Sequence, residues 1–397
     1  MNITIAHFGT HYVNMSGGVE KVTCAFANEM VRKGHNVVIL YRDGTEGNPY
    51  FYLDPRVKQY NILFENGRKV VSEKLPFALR TYREIARLFS QKKAQGINAK
   101  FKGKQYGKRI ADYFKSHDVD IIVSCSAPST KYVITDGGIK IPVIQMIHAD
   151  PDIQFPLFSD AEREAVAKCQ AMQILVKSGE DTAKKYFPGL PLVVIGNPID
   201  CDVMKADPGD KKDTYKIICV GNLENRKNQK FLVHAFEKIM GEYPDWHVEL
   251  WGDYNSIYGR SLKQYIEKNH LDSQIHVMGK TNKIEEVDAA SDIFAIPSHS
   301  EGFPLGLAEA MAAGLPALGF TSCGGVNSLI IDGKTGFLTE DGDLSAYIEK
   351  LRKLMDDAAL RSQMGNAGNE YIQQYRPENV WEQWEHLLQD VVKNKKG

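Results

Sequence analysis

Ser298-His-Ser-Glu301-Gly-Phe-Pro-Leu-Gly306-Leu-Ala-Glu309-Ala-Met-Ala-Ala-Gly314-Leu-Pro316-Ala-Leu-Gly-Phe320 is the stretch on which the rest of the chain turns. Ile293-Phe-Ala-Ile296 before it reads as a short buried parallel strand, and Ala317–Phe320 as the next one. Between them lie a glycine-bearing loop and a small-faced helix over Leu305–Ala313. Strand, loop and helix N-terminus together form an arrangement that binds anions through free N–H groups and the helix dipole. Glu301 before the helix and Glu309 within it add two carboxylates, which repel phosphate but accept hydrogen bonds from sugar hydroxyls. The stretch therefore points to a ligand that is part phosphate and part polyol.

Outward from there, strand-length apolar runs alternate with helical patterns over the whole chain. Ile3–Phe8, Asn36–Tyr41, Val57–Ile62, Asp120–Ser124, Pro142–Ile147, Met172–Val176 and Leu192–Ile195 form a first series. Lys216–Val220, Trp246–Trp251, Gln274–Met278, Asp292–Ile296 and Ala317–Phe320 form a second. Such alternation predicts parallel sheets covered by helices. The polar interval Asp200–Asp213, with Pro208 and Gly209 and no strand pattern, reads as a linker. The expected architecture is α/β: two doubly wound domains facing each other, residues 1–199 and 200–376, with the site at the C-terminal ends of their strands. In the tail 377–397, Val380, Trp381, Trp384, Leu387, Leu388 and Val391 fall on one helical stripe, which is expected to return to the first domain.

The chain has 397 residues, 43% of them hydrophobic, enough for two or three domains with full cores. Its net charge of −1 gives no global sign of nucleic-acid binding. The six cysteines form no CxxC pair, which leaves buried free thiols in a reducing compartment as the expectation. The first residues lack the pattern of a signal peptide, and no apolar run approaches the ~20 residues of a membrane span. A cytoplasmic protein is expected. Residues 66–115 stand apart, with fourteen Lys or Arg against Glu73, Glu84 and Asp112. This segment carries +11 and leaves −12 for the remainder. Aromatic and aliphatic residues are interleaved with the charges, so basic amphipathic helices are expected here, attracted to an anionic membrane surface or a polyanionic acceptor.

Three further segments carry candidate chemistry. Gly17-Gly18-Val19-Glu20 sits at a strand-to-helix turn, where glycines allow positive φ and close approach of a ligand; it is not the GxGxxG pattern of a dinucleotide site. Val220-Gly221-Asn222-Leu223-Glu224-Asn225-Arg226-Lys227-Asn228-Gln229 places two cations after the first strand of the second series, before a helix expected over Lys227–Met240. Gln145-Met-Ile-His148-Ala-Asp-Pro-Asp152 puts His148 at a strand's C-terminal end.

On these residues the chain resembles the retaining nucleotide-sugar glycosyltransferases often called family 4, of bacterial cell-surface polysaccharide type, which have the GT-B fold. The resemblance covers nearly the whole chain and is strongest from Lys216 to Leu338, where Glu301 and Glu309 stand separated by seven residues. Gly196-Asn197-Pro198, the Gly-Asn-Leu…Lys-Asn segment and Asp332-Gly-Lys-Thr-Gly336-Phe-Leu are further landmarks. The resemblance implies that Glu309 accepts from the nucleotide ribose, that Glu301 contacts the donor sugar, and that Lys227 stabilises the departing diphosphate. It implies that Gly302, Phe303, Pro304, Leu305, Gly306 and Leu307 line the sugar and phosphate site. Gly17 and Gly18 would lie near the diphosphate and acceptor, and His148 near the donor sugar. Many members have Arg where this chain has Asn222; Arg226, four residues on, is the candidate replacement. The implied activity is hexose or N-acetylhexosamine transfer from a UDP-sugar to a glycan acceptor, a lipid-linked one in the first instance, with retention of configuration and without metal or cofactor. Asp118-Val-Asp120, Asp150-Pro-Asp152 and Asp341-Gly-Asp343 are not read as a metal site: the first begins a strand and the last begins a helix, where carboxylates cap N–H groups. A glycosidase using the two glutamates is disfavoured, because it needs no nucleotide-type half. An inactive binding or scaffold subunit is the alternative that Asn222 raises.

Overall fold

The computed structural model describes residues 1–394, the side chain of Lys92 excepted. The chain clusters into two units. One comprises Met1–Ile174, Glu180–Val194 and the tail from Gln383, and the other comprises Leu175–Gly179 and Ile195–Glu382.

The first unit holds strands β1 (Asn2–His7), β2 (Asn36–Tyr41) and β3 (Lys58–Asn61). A small hairpin, β4 (Phe64–Glu65) and β5 (Arg68–Lys69), precedes β6 (Ile121–Ser124), β7 (Val143–Met146), β8 (Ala171–Ile174) and β9 (Leu192–Val194). The sheet runs β3-β2-β1-β6-β7-β8-β9 with every pairing parallel. β6, β7 and β8 are buried along their whole length, and Ser124, Gln145 and Gln173 are buried with their apolar neighbours. Helix α1 (Gly18–Arg32) follows β1 and buries Val22, Phe26 and Met30 at i, i+4 spacing.

The second unit contains β10 (Tyr215–Val220), β11 (Trp246–Trp251), β12 (Ile275–Gly279), β13 (Ile293–Ile296), β14 (Ala317–Phe320) and β15 (Gly336–Thr339), ordered β12-β11-β10-β13-β14-β15, again all parallel. β15 falls on the Gly336-Phe-Leu landmark, which the apolar pattern alone did not mark as a strand. The helix Leu305–Ala313 has the bounds expected of it. Pro304 starts it, Gly314 at φ 93° ends it in the left-handed region, and its alanines pack flat on the sheet. Gly306 belongs to this fit: a Cβ there would stand 3.4 Å from Val220 Cβ.

Several expectations shift. The interval 200–213 is not a loose tether. Ala206 N donates to Ala313 O at 2.8 Å, Lys205 Nζ to Ala312 O at 2.7 Å, and the buried Arg361 to Pro208 O at 2.7 Å, so backbone carbonyls anchor it to the second unit. In the basic segment only α2 (Phe77–Phe89) and α3 (Gln91–Ser116) are helical. Residues 66–76 are not, because Asn66 and Gly67 at positive φ turn the β4–β5 hairpin. The helix expected from Lys227 starts at Gln229 instead, after a 3₁₀ turn Asn225–Lys227 and a left-handed Asn228 at φ 52°. All six cysteines are buried and unpaired.

The last helix, Pro377–Lys393, buries its whole apolar stripe. Trp384 meets Phe26 of α1 edge-on at 5.0 Å, and Glu385 accepts from His35 at 2.8 Å, which joins the helix to the first unit as the stripe required. Each such buried side chain contributes on the order of 1.5–3 kcal/mol.

Candidate functional site

The C-terminal ends of β10 and β13 carry a charged cluster. Gly221, at φ 147°, ends β10 in a conformation that suits glycine, and a Cβ there would meet Lys227 Cε at 3.1 Å. The break at Asn228 turns Lys227 back over this strand end. Lys227 Nζ lies 2.6 Å from Glu301 Oε1, and Arg226 Nη1 lies 2.9 Å from Glu301 Oε2. Arg226 also donates to Ser300 O at 2.7 Å and to Glu224 at 2.8 Å. Glu301 is buried, and burial alone would raise its pKa; Lys227 and Arg226 outweigh that and hold the carboxyl below the usual range. Burial likewise disfavours the Arg226 charge, and Glu301 and Glu224 reverse the effect, raising its pKa. The carboxylate depends on these cations, since without them its buried charge would be left uncompensated.

The loop after Glu301 leads into the helix. Gly325 approaches so closely that a Cβ would fall 2.4 Å from Glu301 O. Phe303 is buried edge-on against Tyr375 at 5.0 Å. Pro304 occupies the N-cap with no side-chain cap, so the N–H groups of the first turn, Leu305 to Leu307, face outward from the helix end without a capping side chain. Glu309 lies one turn further along and is half-buried. Asn222 does not stand in for a missing guanidinium: its Oδ1 accepts from Asp253 N at 3.2 Å and holds the ends of β10 and β11 together.

Asp288, on the short helix Ile284–Ala289, was not singled out from sequence. It is buried, its Oδ1 has no hydrogen-bond partner, and burial together with the charges of Glu309 and Glu285 pushes its carboxyl up to about 8. At neutral pH it carries its proton. No spacing rule marks a lone aspartate inside an amphipathic helix, so the sequence offered no signal for it.

The first unit has its own cluster at the ends of β1, β6 and β7. His7 closes β1, Cys125 follows β6, and His148 follows β7. His7 Nε2 stands 3.6 Å from Glu20 Oε1 of α1, and Glu20 accepts from Thr10 at 3.0 Å. His148 Nε2 is shut off from solvent without a partner, and burial, reinforced by His7, lowers its pKa to about 4. It is therefore a neutral imidazole at pH 7. Gly17 is the N-cap of α1 at φ −80°, and Gly18 begins the helix. Positive φ is not what this turn uses Gly17 for. A Cβ on Gly17 would lie 2.3 Å from Glu20 Oε2, so the missing side chain makes room for that carboxylate. His7 and Glu20 escaped sequence reading, although His7 meets the same criterion that selected His148, a polar side chain at a strand's C-terminal end.

The aspartate pairs are engaged locally. Asp120 accepts from Asn2 N at 2.8 Å, Asp150 from Asp152 N at 3.0 Å, and Asp343 caps Ala346 N at 2.9 Å.

Residues 201–371, most of the second unit, match the family described as glycosyl transferases group 1. Over 390 residues the chain is 22% identical to an uncharacterized glycosyltransferase of Haemophilus influenzae, covering 95% of this chain and 97% of that protein. It is 27% identical over 222 residues to the UDP-Gal:α-D-GlcNAc-diphosphoundecaprenol α-1,3-galactosyltransferase of Escherichia coli, covering 53% of this chain and 57% of that protein. Among solved structures, sucrose-phosphate synthase of Thermosynechococcus elongatus superposes with a TM-score of 0.77 at 15% identity, covering 99% of both chains. The fold is GT-B, and the comparisons support a glycosyltransferase.

Proposed function

We propose that the protein is a retaining, metal-independent glycosyltransferase of family 4 type. It moves a hexose or N-acetylhexosamine from a nucleotide diphosphate sugar, with UDP as the nucleotide, to a lipid-linked glycan acceptor in cell-surface polysaccharide synthesis. The observation that carries the reading is the cluster of Lys227, Arg226 and Glu301 beside the uncapped N-terminus of Leu305–Ala313. Cleavage of the anomeric bond develops charge on the leaving diphosphate, and fixed donors aimed at that charge are the main lever a protein has over such a step. Lys227 and the first-turn N–H groups supply those donors. Glu301, held ionised, accepts from sugar hydroxyls, and Glu309 accepts from the ribose. The UDP-linked name of the E. coli relative favours this nucleotide and a lipid-linked acceptor.

In the first unit, neutral His148 is suited to hydroxyls rather than to phosphate charge, and the carboxylate of Glu20, for which Gly17 makes room, is a further hydroxyl acceptor. The basic α2–α3 segment favours work at the inner face of the cell membrane, by attraction to anionic lipid.

A screen of nucleotide-sugars by thermal shift is the test. Specific binding raises apparent stability by about 2.7 kcal/mol at a ligand concentration one hundred times Kd. A UDP-sugar that stabilises the protein and is turned over with an acceptor supports the proposal. Stabilisation without turnover across acceptors would favour a binding subunit, and no stabilisation by any nucleotide-sugar would reject the donor site.

A further inference from the structure

Helix α2 is built inside out. At the 100° per residue of an α-helix, Phe77, Leu88, Ile85, Phe89 and Tyr82 share an arc of roughly 140°, while Arg83, Arg87, Arg80 and Glu84 fill the opposite side. Such a helix ordinarily turns its apolar arc to the core. Here Phe77, Leu88 and Phe89 are 86, 83 and 81% exposed, Tyr82 61% and Ile85 51%. Ala86 is the one buried residue of the helix. The polar side is the tethered one: Arg87 pairs with Glu84 at 2.8 Å, Arg83 also pairs with Glu84, and Arg83 donates to Asn98 of α3 at 3.3 Å. Large apolar patches on a protein surface mark interaction sites.

The charge around the patch selects the partner. Arg80 and Arg87 are exposed on the other side of α2, and Lys93, Lys100, Lys104 and Lys108 are exposed along α3. Glu84 is the only acid on α2 and is already paired. A face of aromatic and aliphatic side chains on a helix pair rich in exposed cations fits the interface of an anionic bilayer, where rings enter the acyl boundary and cations remain among headgroups.

We infer that α2 embeds Phe77, Tyr82, Ile85, Leu88 and Phe89 in an anionic lipid surface, so that the protein is held by insertion and not by charge alone. This rests on the proposed membrane-face setting and deepens it.

The test uses the full chain and vesicles of phosphatidylcholine with or without about 30% phosphatidylglycerol. Co-sedimentation is measured at low salt and at about 0.5 M salt, where the Debye length falls to a few ångströms. The wild type should bind the anionic vesicles at both salt levels. A Phe77→Ser/Leu88→Ser/Phe89→Ser variant should lose on the order of tenfold or more in partition at high salt, with unchanged melting temperature. A separate Phe89→Trp variant should show blue-shifted emission quenched by brominated lipid. Wild-type binding that vanishes at high salt, together with unquenched emission from the Phe89→Trp variant at low salt, would leave the electrostatic attachment standing and overturn insertion. No binding to anionic vesicles under any condition would overturn both. A wild-type dimer in sedimentation velocity that the triple serine variant converts to monomer without lipid would assign the face to a second copy and overturn the inference.

Discussion

At the end of β10 a lysine and an arginine close on Glu301 at 2.6 and 2.9 Å, whereas at the end of β1 the nearest nitrogen of His7 stays 3.6 Å from Glu20. Both clusters crown parallel sheets of the same kind, and both bury a glutamate. They differ in what surrounds the carboxylate. Permanent cations compensate Glu301 and keep it ionised. Around Glu20 the neighbours are imidazoles, with both nitrogens of His7 and Nε2 of His148 lacking hydrogen-bond partners among the described residues. Fixed charge suits a ligand that brings or develops charge. A neutral imidazole such as His148 suits hydroxyls, which lose little when their partners carry no charge. Under the proposed function, this contrast would correspond to charge stabilisation in the second unit and hydroxyl recognition in the first.

The largest expected effect tests the charged side. Lys227→Ala should lower donor turnover by about 10²–10³-fold, the range for loss of one fixed donor at a developing anion. Lys227→Arg should recover part of it, because the charge returns with a planar fork in place of a compact ammonium. Steady-state rates with the donor found by thermal shift provide the measurement. A Lys227→Ala rate within about threefold of wild type would erase the contrast between the clusters.

The next effect tests the neutral side. His148 titrates near 4 in the folded chain, against about 6.5 when unfolded. The unfolded chain therefore takes up the proton first. Stability should fall as pH drops from about 6.5 to 4 and should lose nothing further from this group below that. In His148→Asn that part of the decline should disappear, a difference on the order of 1–2 kcal/mol between about pH 7 and pH 4.5 in urea unfolding. Equal declines in both proteins would mean that His148 is solvated and its neutrality incidental.

How much of this could be read beforehand follows the range of the interactions. Local pattern was enough for Leu305–Ala313, because proline at the start, glycine at the end and alanines between them agree on one helix. The stripe of the last helix was equally legible, since Trp384 and Leu388 have nowhere to go but a core. The helix expected at Lys227 failed because periodicity does not register one left-handed residue, Asn228, and that residue is what turns the lysine onto Gly221. The glycine at position 17 was visible, but its reason was not: it clears space for Glu20, a contact between a turn and the helix after it. The direction in which α2 faces was also hidden, because amphipathicity states that a helix has two faces and not which one meets water.

The smallest effect separates charge that is used from charge that is suppressed. Asp288 is a third buried carboxyl, and it resolves its burial in neither of the other two ways: its titration is shifted up to about 8, with Glu309 and Glu285 adding to the effect of burial. The folded chain holds this proton more tightly than the unfolded chain, whose aspartates titrate near about 3.9. Its contribution to stability is thus complete below about pH 4 and is lost as pH rises through about 8. An amide at this position cannot ionise, so Asp288→Asn should lose less stability than wild type between about pH 7 and pH 8. The expected difference is about 1 kcal/mol, read as a shift of about 2–4 °C in melting temperature. Because Glu309 is one source of the repulsion, Glu309→Gln should reduce the same pH dependence without abolishing it. A wild-type slope unchanged by either substitution would mean that Asp288 is ionised at neutral pH in spite of its burial, and its burial would then be resolved in the same way as that of Glu301.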